Sequence, residues 1–285
     1  MELLFSVCNY YKSVVDLSVS DIINIKQWLK GILMKKMIFG TYNVQHCSDN
    51  TVPFDENKRP VVRVDKTAEM LKKMKVDIVG LNEVYDKGPG KEYCHQTEKL
   101  AEYFGTNQYV FGLGKEFEWK DIIGNAVLSR YKILDSEIFH IPAPTESERS
   151  PNEKEWFEDR VIVKTMIDVG RQICFISTHF GLNGSEQERM VKKLVQILDD
   201  VKVPCVLCGD FNVQPDSEYL KPIYERMQSA ADVCGKRYEL TWSSFNPKLT
   251  IDYMFFSKEF KVLDFEVVQE ILSDHRPLWA EVELQ

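Results

Sequence analysis

The stretch VPCVLCGDFN, Val203–Asn212, is an apolar run that ends in a carboxylate, Asp210, and an amide, Asn212. A short apolar run bounded by turn-forming residues is typical of a buried strand, here predicted over Val203–Asp210. In an extended chain Asp210 and Asn212 share one face, and Phe211 points the other way into the core. The stretch therefore predicts a central strand that carries polar groups at its C-terminal end.

A second stretch, KVDIVGLNEV (Lys75–Val84), has the same arrangement. A buried strand follows a helical segment and ends in a carboxylate, Glu83, next to Asn82. Such a pair of stretches is common by chance and is weak evidence of duplication. Functional sites gather at the C-terminal ends of strands in layered α/β folds. Both stretches therefore predict acidic groups at one edge of the fold.

From Met37 onward, β-rich runs alternate with helical segments. The predicted strands outnumber the helices by more than two to one, so two packed sheets with helices on their outer faces fit better than a parallel βαβ wrap. The predicted strands are Met37–Asn43, Val76–Asn82, Gln108–Phe111, Asn125–Ser129, Ile133–Ile141, Val161–Asp168, Ile173–His179, Val203–Asp210, Ile251–Ser257, Lys261–Val268 and Leu278–Glu283. The predicted helices are Val61–Lys75, Glu92–Gly105, Ser185–Asp200 and Glu218–Met227, and the polar, Pro-containing segment Pro142–Glu155 is predicted to be a long exposed loop.

The chain divides into residues 1–36, an N-terminal amphipathic extension, and residues 37–285, a single domain without an internal linker. An amphipathic helix is predicted in the extension by apolar residues at spacings of three and four: Val15, Val19, Ile22, Ile25, Leu29 and Ile32. Three interpretations remain open. The extension is a helix that docks on a partner or a membrane surface, an appendage packed on the domain, or a stretch upstream of a later start at Met34 or Met37.

The composition excludes several classes of protein. The chain has 285 residues, of which 44% are hydrophobic and 28% are charged, so we expect a globular protein and neither a disordered nor a fibrous one. The net charge of −8 argues against a general polyanion binder, although a bound cation can supply local positive charge for an anionic substrate. No signal peptide and no transmembrane segment are expected, because no apolar run reaches the roughly 18 to 20 residues that a membrane span needs.

The seven cysteines are scattered through the chain and suggest no disulfide framework. A reducing compartment fits this usage, and we expect a cytoplasmic protein. Cys205 and Cys208 form a CxxC motif that could be a redox pair or half of a zinc site. No second CxxC and no nearby histidine complete such a site, so we interpret both as small apolar residues in a buried strand.

Polar side chains also follow several other predicted strands. Two histidines, four carboxylates and two amides suit one hard cation and one phosphate, because carboxylates hold Mg²⁺ and histidine handles protons. Each residue alone has an ordinary structural explanation, and their occurrence together favours a site. The set is Asn43, Glu83, His179, Asp210, Asn212, Asp252, Asp274 and His275.

The order of these motifs resembles the endonuclease/exonuclease/phosphatase superfamily, which contains deoxyribonuclease I, the abasic-site endonucleases, the neutral sphingomyelinases and the inositol polyphosphate 5-phosphatases. The resemblance runs from about Met37 to Leu284 and implies an α/β fold, a four-layer α/β/β/α sandwich of two mainly antiparallel sheets. THFGL is most similar to the sphingomyelinase-like and small-phosphodiesterase branches. The motifs are GDFN (Gly209–Asn212), SDHRP (Ser273–Pro277), TYN (Thr41–Asn43), GLNEV (Gly80–Val84), GNAVLSR (Gly124–Arg130), THFGL (Thr178–Leu182) and IDYMF (Ile251–Phe255).

The resemblance implies one divalent cation, Mg²⁺ or Mn²⁺. Glu83 is its implied principal ligand, with Asn43 beside it and Asp274 nearby. Asp210 would orient or deprotonate the attacking water. Asn212 would bind the phosphate or that water.

The resemblance also implies roles in phosphate binding. His275 would contact the scissile phosphate or act as a base, and His179 would be a second phosphate contact. Asp252 would fix the tautomer of a histidine, and which of the two it holds stays open. Arg160 and His46 are further candidates for substrate contact, and so is the amide within GNAVLSR, Asn125.

These residues predict divalent-metal-dependent hydrolysis of a phosphoester, with a phosphodiester favoured, by in-line attack of water. A small phosphoester is the expected substrate. A nuclease acting on nucleic acid is the alternative, and an inactive binding module of the same fold is a further one. The substrate and the oligomeric state stay open. Specificity is expected in the loops 48–59, 86–93, 114–123, 142–155 and 238–250, in or beside which lie Trp119, Trp156 and Trp242.

Overall fold

The computed structural model describes residues 35–56 and 58–285. The predicted amphipathic extension lies outside these residues, apart from Lys35 and Lys36, which begin the first strand. The strands are β1 (Lys35–Asn43), β2 (Ile78–Lys87), β3 (Gln108–Glu116), β4 (Ile122–Ser129), β5 (Lys132–Ile141), β6 (Arg160–Asp168), β7 (Gln172–His179), β8 (Cys205–Asp210), β9 (Gln228–Ser229), β10 (Asp252–Phe256), β11 (Phe260–Val267) and β12 (Leu278–Leu284). The α-helices are α1 (Val64–Lys73), α2 (Gln96–Phe104), α3 (Gly184–Asp200), α4 (Lys221–Tyr224) and α5 (Ala230–Val233).

The strands form two six-stranded sheets with the same pattern of pairing. The first has the order β11-β12-β1-β2-β4-β3 and the second the order β5-β6-β7-β8-β10-β9. Each holds one parallel pair, β1–β2 or β7–β8, and its other pairs are antiparallel, as predicted. The two similar sequence stretches supply β2 and β8, which occupy equivalent places in the two sheets.

The sheets pack face to face over an aromatic core. The rings of Phe39 in β1 and Phe175 in β7 stack with centroids 5.9 Å apart, and Phe256 and Phe260 meet Phe39 edge-on. Helices α1 and α2 cover the outer face of the first sheet, and α3 and α4 cover that of the second. The four-layer α/β/β/α sandwich is therefore confirmed. Cys205 and Cys208 are buried in β8, in agreement with their interpretation as small core residues.

Helix α3 shows how the sequence sets an outer layer. Its N-terminus carries a capping box between Asn183 and Glu186, which satisfies two backbone N–H groups. Met190, Leu194 and Ile197 recur at helical spacing and are buried against the second sheet. In the part of the chain that the structure describes, no helix is long and apolar enough to span a membrane.

The β3–β4 hairpin is longer than predicted. The strands reach Glu116 and Ile122, although the sequence predicted a loop over residues 114–123. Gly112 and Gly114 interrupt the apolar alternation because this part of β3 lies close to β6: a Cβ on Gly112 would lie 2.5 Å from Val163 Cγ2. The glycines therefore mark close packing and not a loop.

Two predicted helices also differ from the structure. The segment 92–105 contains a single 3-10 turn at Lys91–Tyr93 before α2 begins at Gln96, because the intervening His95 is left-handed. The predicted helix 218–227 is a 3-10 turn over Glu218–Leu220 followed by the four-residue α4. Pro222 lacks an N–H and fits only the first turn of a helix, which is where α4 places it.

Candidate active site

A cleft of about 660 Å³ opens where the sheets deliver their polar residues. The side chains of Asn43 and Asp252, 0% and 3% exposed, do not line it but lie beneath it. The other nine of the eleven predicted site residues line the cleft: His46, Glu83, Asn125, Arg160, His179, Asp210, Asn212, Asp274 and His275.

The sequence suggested that Glu83 lies at a strand end. In the structure, a β-bulge within β2 directs Glu83 into the cleft. Leu81 pairs with Ala126 and Val84 with Gly124, so two residues of β2 oppose a single residue of β4. Glu83 has a φ of 56°, in the left-handed region. Bulges of this kind re-aim side chains next to functional sites.

Asn43, the last residue of β1, connects the two acidic residues of the cleft. Its Nδ2 donates to Glu83 Oε1 at 2.9 Å and to Asp210 Oδ2 at 3.1 Å. It also lies 3.5 Å from His275 Nε2. One buried amide therefore sets the relative positions of two carboxylates from different elements.

Asp210, His275 and Asp252 form a buried chain of alternating charge. His275 Nε2 lies 3.5 Å from Asp210 Oδ2, and His275 Nδ1 lies 2.9 Å from Asp252 Oδ2. The structure thus resolves the pairing that the sequence left open: Asp252 holds His275. Asp210 Oδ1 accepts the backbone N–H of Asn212 at 2.9 Å.

The charge state of this chain follows from burial and from neighbouring groups. Burial disfavours the charged form of His275, but the carboxylates of Asp252 and Asp210 outweigh it and raise the pKa of His275 to about 10. Burial raises the pKa of Asp210 to about 7, although the His275 charge and the Asn43 amide act against this shift. The two carboxylates therefore favour the imidazolium form of His275, and burial favours the protonated form of Asp210.

His179, at the end of β7, has the opposite character. Arg160 Nη1 lies 3.3 Å from His179 Nδ1, and the guanidinium is also paired with Glu158 at 3.2 Å. Burial, together with the charges of Arg160 and His275, lowers the pKa of His179 well below its ordinary value. His179 is thus neutral. Its Nε2 lies 3.5 Å from Asp210 Oδ2 and 3.3 Å from the amide nitrogen of Asn212.

Asn212 ends the extended run of its strand. Its φ of 51° is left-handed, so the two-residue period predicted for Asp210 and Asn212 holds only as far as Phe211. Phe211 is fully buried against Phe180, as expected. The Asn212 amide donates to the carbonyl of Phe180 at 2.9 Å, which fixes the side chain at the cleft.

The segment Ser273–His275 is held against the end of β1. The Ser273 hydroxyl donates to the carbonyl of Asn43 at 2.7 Å and accepts the backbone N–H of His275 at 3.1 Å. The Asp274 carboxylate accepts the indole N–H of Trp242 at 3.2 Å. Burial, with the nearby Glu83 charge, raises the pKa of Asp274.

Asn125 and His46 line the cleft but are held by the protein. Asn125 Oδ1 accepts from Asn82, and its Nδ2 donates to the carbonyl of Val161 at 2.8 Å. The His46 ring meets Tyr85 edge-on at 4.7 Å, and burial lowers the pKa of His46. The two remaining histidines, His95 and His140, are exposed.

The comparison with known proteins agrees with this geometry. A model of the Endonuclease/Exonuclease/phosphatase family matches residues 40–275. The chain belongs to this family. Members of the Endonuclease/Exonuclease/phosphatase family hydrolyse phosphoester bonds.

Individual relatives of this family member are distant. Nocturnin from Rattus norvegicus is 25% identical over 152 residues, which are 46% of this chain and 33% of Nocturnin, so the match spans about a third of that protein. An endonuclease/exonuclease/phosphatase from Beutenbergia cavernae has a TM-score of 0.69 at 22% identity and covers 88% of this chain and 72% of its own. ANGEL2, a 2′,3′-cyclic phosphatase solved with adenosine-2′,3′-vanadate, has a TM-score of 0.63 at 15% identity over 89% of this chain and 97% of its own. These structural similarities show the shared fold.

Asn82 supports the cleft although its sequence pattern predicts no role for it. Its Oδ1 accepts the backbone N–H of Asp210 at 3.1 Å, and its Nδ2 donates to the carbonyl of Thr178 at 2.9 Å and to Asn125 at 3.0 Å. The residue is fully buried between the sheets. The only signal in the sequence is an amide next to Glu83 at the end of an apolar strand.

Two groups of side chains could hold a cation. Asp210, Asp252 and His275 offer ligand atoms within 4.8 Å of one another, but His275 Nδ1 is already bonded to Asp252. Glu83 and Asp274, the ligands that the sequence predicted with Asn43, have no ion-pair partner among the described residues. Two neighbouring carboxylates without an ion-pair partner among the described residues fit a hard divalent cation with oxygen ligands.

Proposed function

We propose that the protein hydrolyses a phosphoester, with a compact phosphodiester favoured, in a reaction that depends on one Mg²⁺ or Mn²⁺ ion. The observation that carries the proposal is the Asn43 amide, which is bonded to both Glu83 and Asp210. These are the proposed principal metal ligand and the proposed water-activating group. The Asn43 amide would thus hold the metal ligand and the water-activating group at a fixed distance from each other, and with them the metal-bound phosphate and its nucleophile.

Glu83, Asn43 and Asp274 are the proposed residues of the metal site. Glu83 and Asp274 lack an ion-pair partner among the described residues, and burial together with the Glu83 charge disfavours the charged form of Asp274. A cation bound between the two carboxylates would relieve this cost. When bound, the cation would neutralise charge on the phosphate oxygens and on the leaving oxygen.

Asp210 is the proposed group that orients the attacking water and accepts its proton. A pKa near 7 suits a general base that works at neutral pH. His275, charged and held by Asp252, is better suited to donate from Nε2 to a phosphoryl oxygen than to act as a base. A preorganised donor of this kind stabilises the charge that develops in the transition state.

Asn212 and His179 are proposed phosphate contacts. His179 is neutral, and Arg160 Nη1 lies 3.3 Å from its Nδ1 and 3.5 Å from its Nε2. A neutral imidazole carries one N–H group, which can donate to a phosphate oxygen. Arg160 then acts through His179. Asn125 and His46 stay weaker candidates, since contacts within the protein already occupy their side chains.

A cytoplasmic location remains our proposal. Six cysteines in the described part of the chain carry free thiols, which fits a reducing compartment.

The test is a turnover panel with Mg²⁺, Mn²⁺, Ca²⁺ or EDTA across a small phosphodiester, a phosphomonoester, plasmid DNA and a phosphocholine lipid. We expect turnover of the small phosphodiester with Mg²⁺ or Mn²⁺ and none with EDTA. If the folded protein turns over none of the four substrates, the proposal is wrong and the inactive binding module is the better interpretation.

Two variants separate the metal from the base. Glu83→Gln should raise the metal concentration needed for half-maximal rate, whereas Asp210→Asn should lower kcat by about 100-fold or more and leave that concentration unchanged. Asp86→Asn is the matched control, since Asp86 lies in the same strand and faces His95 outside the cleft. A wild-type metal response in Glu83→Gln would contradict the assigned ligand.

A further inference from the structure

One side of the cleft has no part in the proposed chemistry. It consists of Lys115 and Phe117 from the β3–β4 hairpin and of Lys154 and Trp156 from the segment before β6, and is called the hairpin wall below. Its four residues line the same cleft as His179 and His275. A substrate held there would extend from the reaction centre along this wall.

The wall presents aromatic surface to solvent. Trp156 is 56% exposed, although it lines a concave site. The Phe117 ring stacks on Trp119 with centroids 4.8 Å apart and an angle of 11° between the rings. Trp119 is itself tied to Asp121 by its indole N–H at 2.9 Å. Exposed rings in a cleft are suited to stack on a flat ligand group.

The wall is held in place by the protein. The buried Asn183, which caps α3, donates to the carbonyl of Trp156 at 2.9 Å and accepts the backbone N–H of Lys154 at 2.8 Å. The segment that carries both residues is thereby fixed to a helix N-terminus. A fixed surface loses less entropy when a ligand binds than a mobile loop does.

The wall also carries positive charge that the protein does not neutralise. Neither Lys115 nor Lys154 has an ion-pair partner among the described residues, whereas Lys120 pairs with Glu116 at 3.0 Å. Two acids of the cleft, Glu158 and Asp159, lie in the chain just after this side. Glu158 pairs with Arg160, and Asp159 accepts the backbone N–H of Ala143 at 2.8 Å. Two free ammonium groups beside aromatic rings favour an anion attached to a planar group.

We propose that the hairpin wall is a second subsite, which selects substrates that carry a planar ring and an anionic group besides the scissile phosphate. This is the chemistry of a nucleotide with more than one phosphate, either free or at the end of a nucleic-acid strand. The inference rests on the proposed function, because it places the scissile phosphate at His179 and His275. Two lysines can match one extra phosphate group but cannot follow a long backbone.

Calorimetric titration in EDTA tests the subsite without turnover. Adenosine 3′,5′-bisphosphate should bind about tenfold more tightly than AMP, which lacks the second phosphate, and than fructose 1,6-bisphosphate, which lacks the ring. That ratio equals ~1.4 kcal/mol, within the range of a single stacked base. Equal affinity for all three ligands would overturn the inference.

Variants test whether residues of the hairpin wall cause the binding preference for adenosine 3′,5′-bisphosphate. Trp156→Ala should remove the preference over the sugar bisphosphate, and Trp156→Phe should retain most of it. Lys115→Ala with Lys154→Ala should remove the preference over AMP. Lys120→Ala is the control, because Lys120 is paired with Glu116 and does not line the cleft. A preference that survives in Trp156→Ala contradicts the subsite.

Two further measurements separate the sources and the hypotheses. A 5′-phosphorylated hexanucleotide that binds as tightly as the free bisphosphate identifies strand ends as a source, and weaker binding identifies free nucleotides. Turnover of a small phosphodiester with Mg²⁺ is measured on the same samples. Turnover without the binding preference refutes only the subsite, and the binding preference without turnover refutes only the proposed hydrolysis.

Discussion

The Asn82 side-chain amide forms hydrogen bonds with three partners, one in its own sheet and two in the facing sheet. The Asp210 backbone, from which the proposed base extends, is held by Asn82 Oδ1. The Thr178 carbonyl, next to His179, is held by Asn82 Nδ2. Asn82 is therefore a positioning residue, which acts on the reaction through Asp210 and His179.

Asn82→Leu should lower kcat for a small phosphodiester by more than tenfold and leave KM within about threefold, because the residue sets the geometry of the base and not the binding of substrate. It should also cost about 1–3 kcal/mol of unfolding free energy for the buried groups left unpaired. Steady-state kinetics and urea unfolding measure the two effects.

Thr165→Val provides the control for stability. Thr165 Oγ1 donates to the carbonyl of Phe175 at 3.1 Å in the same sheet as Asp210, but Thr165 does not line the cleft. This variant should lose stability without losing kcat. If both variants lose kcat in proportion to their stability, Asn82 has only a structural role.

At the level of elements, β8 approaches β7 so closely that only glycine fits at position 209. Gly209 has a φ of 142°, and a Cβ there would lie 1.9 Å from the carbonyl oxygen of Thr178. This contact fixes the strand whose next residue is Asp210.

Gly209→Ala should therefore destabilise the protein by more than the ~1–2 kcal/mol that a left-handed backbone costs an L-residue. The control is Gly105→Ala at the end of α2, where φ is 87° but no atom lies within 4 Å of a Cβ. Gly105→Ala should lower the free energy of unfolding only by the cost of the left-handed backbone, because its Cβ meets no other atom. Equal losses in thermal unfolding would show that β7 and β8 separate easily.

The loop after β1 is fastened to α1 by a buried carboxylate. Burial would raise the pKa of Asp49, but the Lys66 ammonium at 2.6 Å and the Thr51 hydroxyl and N–H lower it below its ordinary value. A lowered pKa means that the folded state favours the charged carboxylate. The contribution of the Asp49 carboxylate to the free energy of unfolding is fully present above its pKa in the unfolded chain, about 3.9. It is lost as the pH falls through the pKa in the folded protein.

Asp49→Asn should thus cost about 1–3 kcal/mol near neutral pH and progressively less below about pH 4. Urea unfolding of both proteins across that range measures the difference. Asp65→Asn, which breaks a pair with the exposed Arg63, should change stability by less than ~1 kcal/mol. A loss for Asp49→Asn that does not change with pH would contradict the charge-based explanation.

Local sequence patterns were enough to predict most helices and strands. They were also enough to predict that the polar residues at the strand ends lie close together. Apolar runs and strand ends are properties of the chain itself. The bulge at Glu83 and the length of the β3–β4 hairpin are not, because both depend on the partner strand. The partner of Asp252 and the role of Asn82 are also set by side chains distant in sequence, so the residue types could suggest them but not decide them.

For the whole molecule, the net charge of −8 opposes binding to nucleic acid. The structure concentrates some positive charge at the cleft, which Lys115, Lys154 and Arg160 line. Arg160 is paired with Glu158, so of these three described cleft residues the two lysines are left to neutralise phosphates of a bound polymer. Phosphate contacts to the backbone should therefore be few.

Duplex DNA should accordingly bind weakly, with log K falling against log salt with a slope no steeper than about −2, because each neutralised phosphate contributes about −0.9. At matched enzyme concentration, turnover of a small phosphodiester with Mg²⁺ should far exceed nicking of plasmid. Fluorescence anisotropy of a labelled duplex between roughly 50 and 200 mM salt, alongside a gel assay of plasmid, measures both. Efficient nicking with a slope of −5 or steeper would require basic residues outside the cleft to reach the backbone, and the nuclease alternative would then replace the small phosphoesterase.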